Sequence, residues 1–242
     1  MTENKIKTKD IIKDYDRIYS TTGLRTNSAY YRWIIKMLRP MPNARILDVS
    51  CGEGSLLREI AKLNKNIDAY GLDISDVAAA IARKNAPKAK IMSADGQRLP
   101  FADESFDYVT CLGSLEHYLD ISLGLRELFR VAKREARFCI VLPNSFSIHV
   151  FLEILRSGNR FPDNFQIIER TATKQEWIDL LDKNGFSVRK IYGFNLWPEL
   201  FKEGTLKIKS IPKYLKRVLI KYLCPLNLAK EFVFICEKKG KL

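Results

Sequence analysis

Three carboxylates and one histidine stand where chemistry is most easily built. Asp48 and Asp73 end apolar strands, Asp95 sits in a loop after a third, and His117 follows Glu116 after a fourth. Around the first of these, Arg45-Ile46-Leu47-Asp48-Val49-Ser50-Cys51-Gly52-Glu53-Gly54-Ser55 carries an apolar strand into a carboxylate and then a turn with two glycines two residues apart. Such a turn, between a buried strand and a helix, lets backbone approach a ligand where a Cβ would collide. The pattern is that of a nucleotide-cofactor site. The dinucleotide fingerprint G-x-G-x-x-G needs a third glycine or alanine that Ser50 to Leu57 do not supply in register, and the Gly-Lys-Ser/Thr of a P-loop is absent. Asp73 ends its strand 25 residues after Asp48, where an acidic side chain accepts bonds from both hydroxyls of a ribose. A helix cap is the other use of such a residue, and Ser75 or Asp76 can fill it instead.

Strand and helix signals alternate from Arg45 onward, the pattern of a mostly parallel sheet with helices on both faces. Strands are expected at 46–49, 68–73, 90–93, 106–111, 138–142, 186–192 and 231–237. Helices are expected at 55–63, 77–85, 123–132 and 175–183, the last closed by Asn184-Gly185. Segments 145–173 and 194–230 fall outside this alternation, and the chain reads as one domain.

The order of these seven strands, together with Asp48-x-Ser50-x-Gly52-x-Gly54, resembles the class I S-adenosylmethionine-dependent methyltransferases, whose first motif is D-x-G-x-G-x-G. The fold implied is α/β, a Rossmann-like seven-stranded mostly parallel sheet. Ser93-Ala94-Asp95-Gly96-Gln97-Arg98-Leu99-Pro100-Phe101, followed by Asp103-Glu104-Ser105-Phe106-Asp107, resembles the third motif in the type 11 branch, which includes quinone-biosynthesis enzymes. Leu115-Glu116-His117 is similar to the Leu-Glu-His run of small-molecule methyltransferases. The likeness covers residues 44–143 closely and 174–237 loosely.

The resemblance implies S-adenosylmethionine as cofactor, with S-adenosylhomocysteine as product. Asp48, Ser50, Gly52 and Gly54 would surround its methionine end. Asp73 would take the ribose, Ile74 would lie flat on the adenine, Asp95 and Gly96 would meet the adenine amino group, and Leu112 would complete the wall. It places His117 near the sulfur as a base for an acceptor that must lose a proton, with Glu116 as a second candidate. Residues 1–43, with Tyr15 and Tyr19 on one helical face, would form a helical cap, and 145–173 and 194–230 the acceptor pocket. Two departures stand out: Ser50 replaces the first glycine of the motif, and Lys133-Arg134-Glu135-Ala136 replaces a Pro-Gly turn before strand five.

The acceptor class narrows by exclusion. After strand four there is no Asn/Asp-Pro-Pro-Tyr/Phe of enzymes that methylate exocyclic base amines, and Thr110-Cys111 lacks the proline of the cytosine C5 enzymes. Cys111 reads as a small buried residue. The net charge of +13 divides into +5 over residues 1–43 and +8 over 201–242, around a neutral middle. Basic ends suggest an anionic acceptor or docking surface, or simply solvated helix faces. The resemblance implies a small-molecule or lipid-linked acceptor, and the basic amphipathic stretch Pro212 to Leu223 reads as a lid helix packed on its own domain or as a peripheral membrane contact. An RNA acceptor ranks second, because no separate RNA-binding platform is present. A non-catalytic binding or scaffold role is the third reading. Five scattered cysteines without a C-x-x-C pair predict neither disulfides nor a metal site. With a polar N-terminus and no run of 18 apolar residues, a cytoplasmic protein is expected. Asn144 at the end of strand five is a candidate acceptor contact or a plain turn residue.

Overall fold

In the central strands both faces are apolar, so the sheet requires cover on both sides. Leu47 and Val49 point into one core and Ile46 into the other, because successive side chains alternate across a strand. The computed structural model, which describes residues 6–21, 28–63, 66–158, 167–195 and 224–240, meets that requirement with helices on each face.

Seven strands form one sheet: β1 (Arg45–Val49), β2 (Asp68–Asp73), β3 (Lys90–Ser93), β4 (Phe106–Leu112), β5 (Ala132–Pro143), β6 (Phe186–Phe194) and β7 (Glu231–Lys238). Their spatial order is β3-β2-β1-β4-β5-β7-β6. The first five pair in parallel, and β7 inserts antiparallel between β5 and β6. One face is covered by α5 (Ile121–Val131), through Leu125, Leu128 and Val131, and by α7 (Lys174–Lys183), through Trp177 and Leu181. The other is covered by α2 (Ser28–Leu38) and α3 (Ser55–Ile60), with α4 (Asp76–Asn85) beside them. Among the described residues the remaining α-helices are α1 (Thr8–Thr21) and α6 (Ile148–Ser157). No helix among the described residues is long and apolar enough to cross a membrane.

The aromatics of the cap divide between two tasks. Tyr30 and Tyr31 of α2 are buried in the sheet core, and Trp33 stacks on Phe194 at 5.8 Å. Tyr15 and Tyr19 of α1 face the carboxyl ends of the strands instead. The stretch 212–223 and most of 194–230 lie outside the described residues.

Most boundaries agree with the sequence reading to within two residues, and two regions differ more. Helix α3 stops at Ile60 rather than Leu63. The helix expected to reach Ala132 ends at Val131, and β5 begins at once: Phe106 pairs with Ala132, then Tyr108 with Arg137. Lys133-Arg134-Glu135-Ala136 is thus a bulge inside a long strand, not a turn before a short one. Lys133 Nζ reaches Asp107 Oδ1 at 2.7 Å and Ala136 is buried, while Arg134 and Glu135 project into solvent. One anchoring ion pair and one apolar plug let a polar run stay in the sheet.

Candidate active site

The connections from β1 and β4 leave in opposite directions, so a crevice opens beyond their carboxyl ends. Two adjoining hollows fill it. One, of about 580 Å³, is lined by Asp73, Ile74, Asp95, Gly96, His117 and Tyr118. The other, of about 470 Å³, is lined by Asp48, Gly52, Glu53 and Leu112. Tyr19, Ser50, Gly113 and Ser114 border both, which makes Ser50 the waist of one elongated cleft.

The turn after β1 sets that waist. Ser50, Gly52 and Gly54 all have left-handed backbones, with φ of 57°, 52° and 73°. Glycine adopts this conformation at little cost, whereas Ser50 carries a penalty of about 1 kcal/mol. Gly52 N–H donates to Asp73 Oδ2 at 2.8 Å, tying the turn to the end of β2. Gly54 serves a different purpose from the one expected of it. It lies off the cleft wall, where a Cβ would come within 3.1 Å of Ala82 Cα in α4, so its role is close helix packing.

Asp73 is buried and accepts from Ser75 N–H at 3.0 Å with its other oxygen. The helix cap is Ser75, whose Oγ accepts from Ala78 N–H at 3.1 Å. Burial pushes the Asp73 carboxyl up to about 6, against the downward pull of the backbone donors from Ser75 and Gly52. Asp48 is pushed further, to about 7, by burial; the 2.6 Å bond from Thr110 Oγ1 opposes the shift and the charge of Asp73 adds to it. Asp95 accepts from Gln97 N–H at 2.9 Å and from Gln97 Nε2 at 3.2 Å. Gln97 Oε1 in turn accepts from Asp120 N–H at 2.8 Å, fastening the loop to the start of α5.

Helix α1 crosses the open side. Tyr15 and Tyr19 stack with centroids 6.4 Å apart, and the Tyr15 ring meets His117 edge-on at 6.4 Å. Asp16 Oδ1 accepts from Ser75 Oγ at 2.5 Å, pinning the helix to the rim. Burial raises both phenols well above their ordinary range, with nearby carboxylates adding to it, so they remain protonated donors.

His117 lines the cleft and Glu116 does not: Glu116 is buried, with Oε1 3.6 Å from His117 Nε2. Cys111 is fully buried and burial pushes its thiol well up, which suits packing and not nucleophilic attack. Asn144 is committed to the fold. Its Nδ2 donates to the Asn227 and Ala229 carbonyls at 2.8 and 2.7 Å, and its Oδ1 accepts from Phe146 N–H at 3.0 Å. His149 lies on α6, half-buried and away from the cleft lining.

Sequence reasoning missed several residues of the site. Tyr118 hydrogen bonds to Ser50, Thr110 holds Asp48, and Gln97 holds Asp95. Tyr118 directly follows the Leu-Glu-His run, which is the one signal that pointed to it. Arg170 and the Ile168 carbonyl reach the His117 turn from more than fifty residues away, and no local pattern marks them.

Residues 47–140 match a family model described as a methyltransferase domain. A ubiquinone/menaquinone biosynthesis C-methyltransferase of Geotalea daltonii is 29% identical over 52% of this chain and 57% of its own length. The chain thus matches little more than half of that relative. A demethylmenaquinone methyltransferase of Thermotoga maritima is 26% identical over 74% of this chain and 85% of its own. The crystal structure of YcgJ from Bacillus subtilis superposes with a TM-score of 0.61 at 19% identity, covering 89% of this chain and all of that one, which shows a shared fold. That family match lies over the strands and turns that build the cleft: residues 47–140 are similar to a methyltransferase domain, and the relatives that share the likeness include quinone-biosynthesis enzymes.

Proposed function

We propose that the protein methylates a small, lipid-linked aromatic acceptor of the quinone-precursor type, at a ring carbon. The observation that carries the cofactor half is the 2.8 Å bond from Gly52 N–H to Asp73 Oδ2. It joins the glycine turn and the strand-end carboxylate into one wall, and the two adjoining hollows run along that wall. The donor set fits: Asp73 for ribose hydroxyls, Ile74 for a flat base, Asp95 and Gly96 for its amino edge, and Asp48, Gly52 and Leu112 around an amino acid tail. The acceptor half is supported by the apolar and aromatic character of α1 over the cleft, through Ile11, Tyr15 and Tyr19, and by the substrates named for the relatives.

When bound, S-adenosylmethionine supplies a methyl carbon already activated by a positively charged sulfur, so alignment supplies most of the remaining catalysis. The chain's own residues do the rest. The aromatic face of α1 excludes water, and the carboxylates fix the nucleoside. His117 takes the proton that a phenolic acceptor loses as its ring carbon becomes nucleophilic. Glu116 stands beside the ring as a support rather than as a base.

Calorimetric titration with S-adenosylmethionine and S-adenosylhomocysteine, then incubation with a demethylated quinol and mass analysis for one added methyl group, tests the proposal. Micromolar binding that Asp73→Ala abolishes, followed by methylation, is the expected result. Folded protein that binds neither compound would overturn the enzyme reading in favour of a scaffold. Binding without quinol methylation, joined to salt-steep RNA binding, would favour an RNA acceptor.

A further inference from the structure

We infer that Arg170 is a positioning residue for His117: by docking its segment on the turn around the histidine it sets the Ile168 carbonyl against Nδ1, the arrangement that puts the hydrogen of a neutral ring on Nδ1. The inference rests on the reading of His117 as the base. His117 ends a single 3-10 turn, Leu115–His117, whose brevity leaves the following carbonyls without helical partners. The Arg170 guanidinium supplies them. Its Nη1 donates to the Glu116 carbonyl at 3.1 Å and to that of Tyr118, and its Nη2 donates to Leu119 O at 3.3 Å. A planar fork with five donors can span three carbonyls in this way, and a lysine ammonium cannot reproduce the spread.

Two residues earlier, the Ile168 carbonyl lies 2.6 Å from His117 Nδ1. A carbonyl oxygen can only accept, so Nδ1 must carry the hydrogen, and the neutral ring then has its lone pair on Nε2. Glu169 Oε2 stands 3.5 Å from the same Nδ1. Ile168 and Glu169 therefore meet the ring at Nδ1, Arg170 holds carbonyls on either side of His117, and Glu116 Oε1 stands 3.6 Å from Nε2, beyond hydrogen-bond reach. Ile168, Glu169 and Arg170 do so from the last residues of the 145–173 segment, just before α7, so the geometry of the base is coupled to a segment read as acceptor-side.

Nitrogen-15 NMR of the imidazole reads this directly. The chain has two histidines, and His149→Gln leaves the His117 signals alone in the spectrum. The expected wild-type pattern is a protonated Nδ1 and an unprotonated Nε2. Arg170→Ala, and Arg170→Gln should the alanine variant not fold, are expected to give mixed tautomers while S-adenosylmethionine affinity stays within about twofold. In turnover, kcat should fall about tenfold or more with the cofactor KM unchanged, and Arg170→Lys should restore only part of it. An unaltered Nδ1–H pattern in folded Arg170 variants, or an Nε2–H tautomer in the wild type, would overturn the inference. The tautomer is read without acceptor or turnover, so failure to methylate a quinol leaves it standing. Full methyl transfer by His117→Ala would instead bring down the base reading, independently of the spectrum.

Discussion

The Tyr118 hydroxyl lies 2.9 Å from Ser50 Oγ, joining the two rims of the cleft at its waist. Ser50 occupies a left-handed backbone position where the related motif has glycine, and the hydrogen bond returns roughly the 1 kcal/mol that this conformation costs. The tyrosine ring fits only because Gly96 and Gly124 lack side chains, since a Cβ at either would overlap the ring. Ser50, Tyr118 and the two glycines thus form one co-adapted unit. Gly96→Ala is expected to weaken S-adenosylmethionine binding at least about tenfold, and the loss should shrink when Tyr118→Ala is added. Calorimetry on the two single variants and the double variant measures the coupling.

Asp73 bonds to both Gly52 and Ser75, so removing it should do two things at once. Asp73→Ala is expected to lower cofactor affinity by about a hundredfold and to loosen the glycine turn, visible as faster amide exchange at Gly52. Asp73→Asn keeps one accepting oxygen and should lose less. Equal affinity of wild type and Asp73→Ala would remove this residue from the cofactor site.

The raised carboxyls at Asp48, about 7, and Asp73, about 6, make the ligand-free protein pH-sensitive. Between pH 4 and 7 the folded state holds protons that the unfolded chain has released. Stability is therefore fullest at the acid end of this window and falls as pH rises through it, by at most about 1.4 kcal/mol per pH unit for each group. Binding of a cationic amino acid tail favours ionised Asp48, so affinity should move the other way, rising towards pH 7 with release of protons. Thermal melts at pH 5 and 7.5, and calorimetry in buffers of different ionisation heat, check both signs. Asp48→Asn should flatten both curves.

Arg130 explains why the Leu99-Pro100-Phe101 stretch is held so firmly. Its guanidinium donates to the Leu99 and Phe101 carbonyls at 2.9 and 2.7 Å and pairs with Glu127 and Asp103. Phe101 then packs edge-on against Tyr70 and Phe106. Arg130→Ala is expected to cost about 2 kcal/mol in urea unfolding, while Arg126→Ala, which loses only one 3.9 Å surface pair, should cost less than about 0.5 kcal/mol.

The strands and the glycine turn were legible because their signals are local. Ile46 and Leu47 alternate between two cores, and positive φ selects glycine at 52 and 54. The early start of β5 was not legible, since Lys133 to Ala136 reads as polar loop until Asp107 is seen opposite Lys133. Asp73 was read from its strand-end position and spacing together with the glycine turn before it, whereas Tyr118 required two distant glycines to reveal its slot. Glu116 and Gly54 were carried along by adjacency to residues that do line the cleft, and the structure puts each to other use. Asn144, whose polar atoms are all engaged within the rim, shows the same limit of reading from position.

Helix α1 is pinned across the cleft by Asp16 on Ser75, with Tyr19 seated over Gly52. Entry of a nucleoside-sized molecule beneath that helix is therefore expected to require the helix to lift. Arrival and departure are then expected to follow one protein opening, the same for substrate and product. Residence time and equilibrium affinity become separately adjustable. Asp16→Ala should shorten the dwell of both S-adenosylmethionine and S-adenosylhomocysteine by a similar factor, as stopped-flow displacement would show.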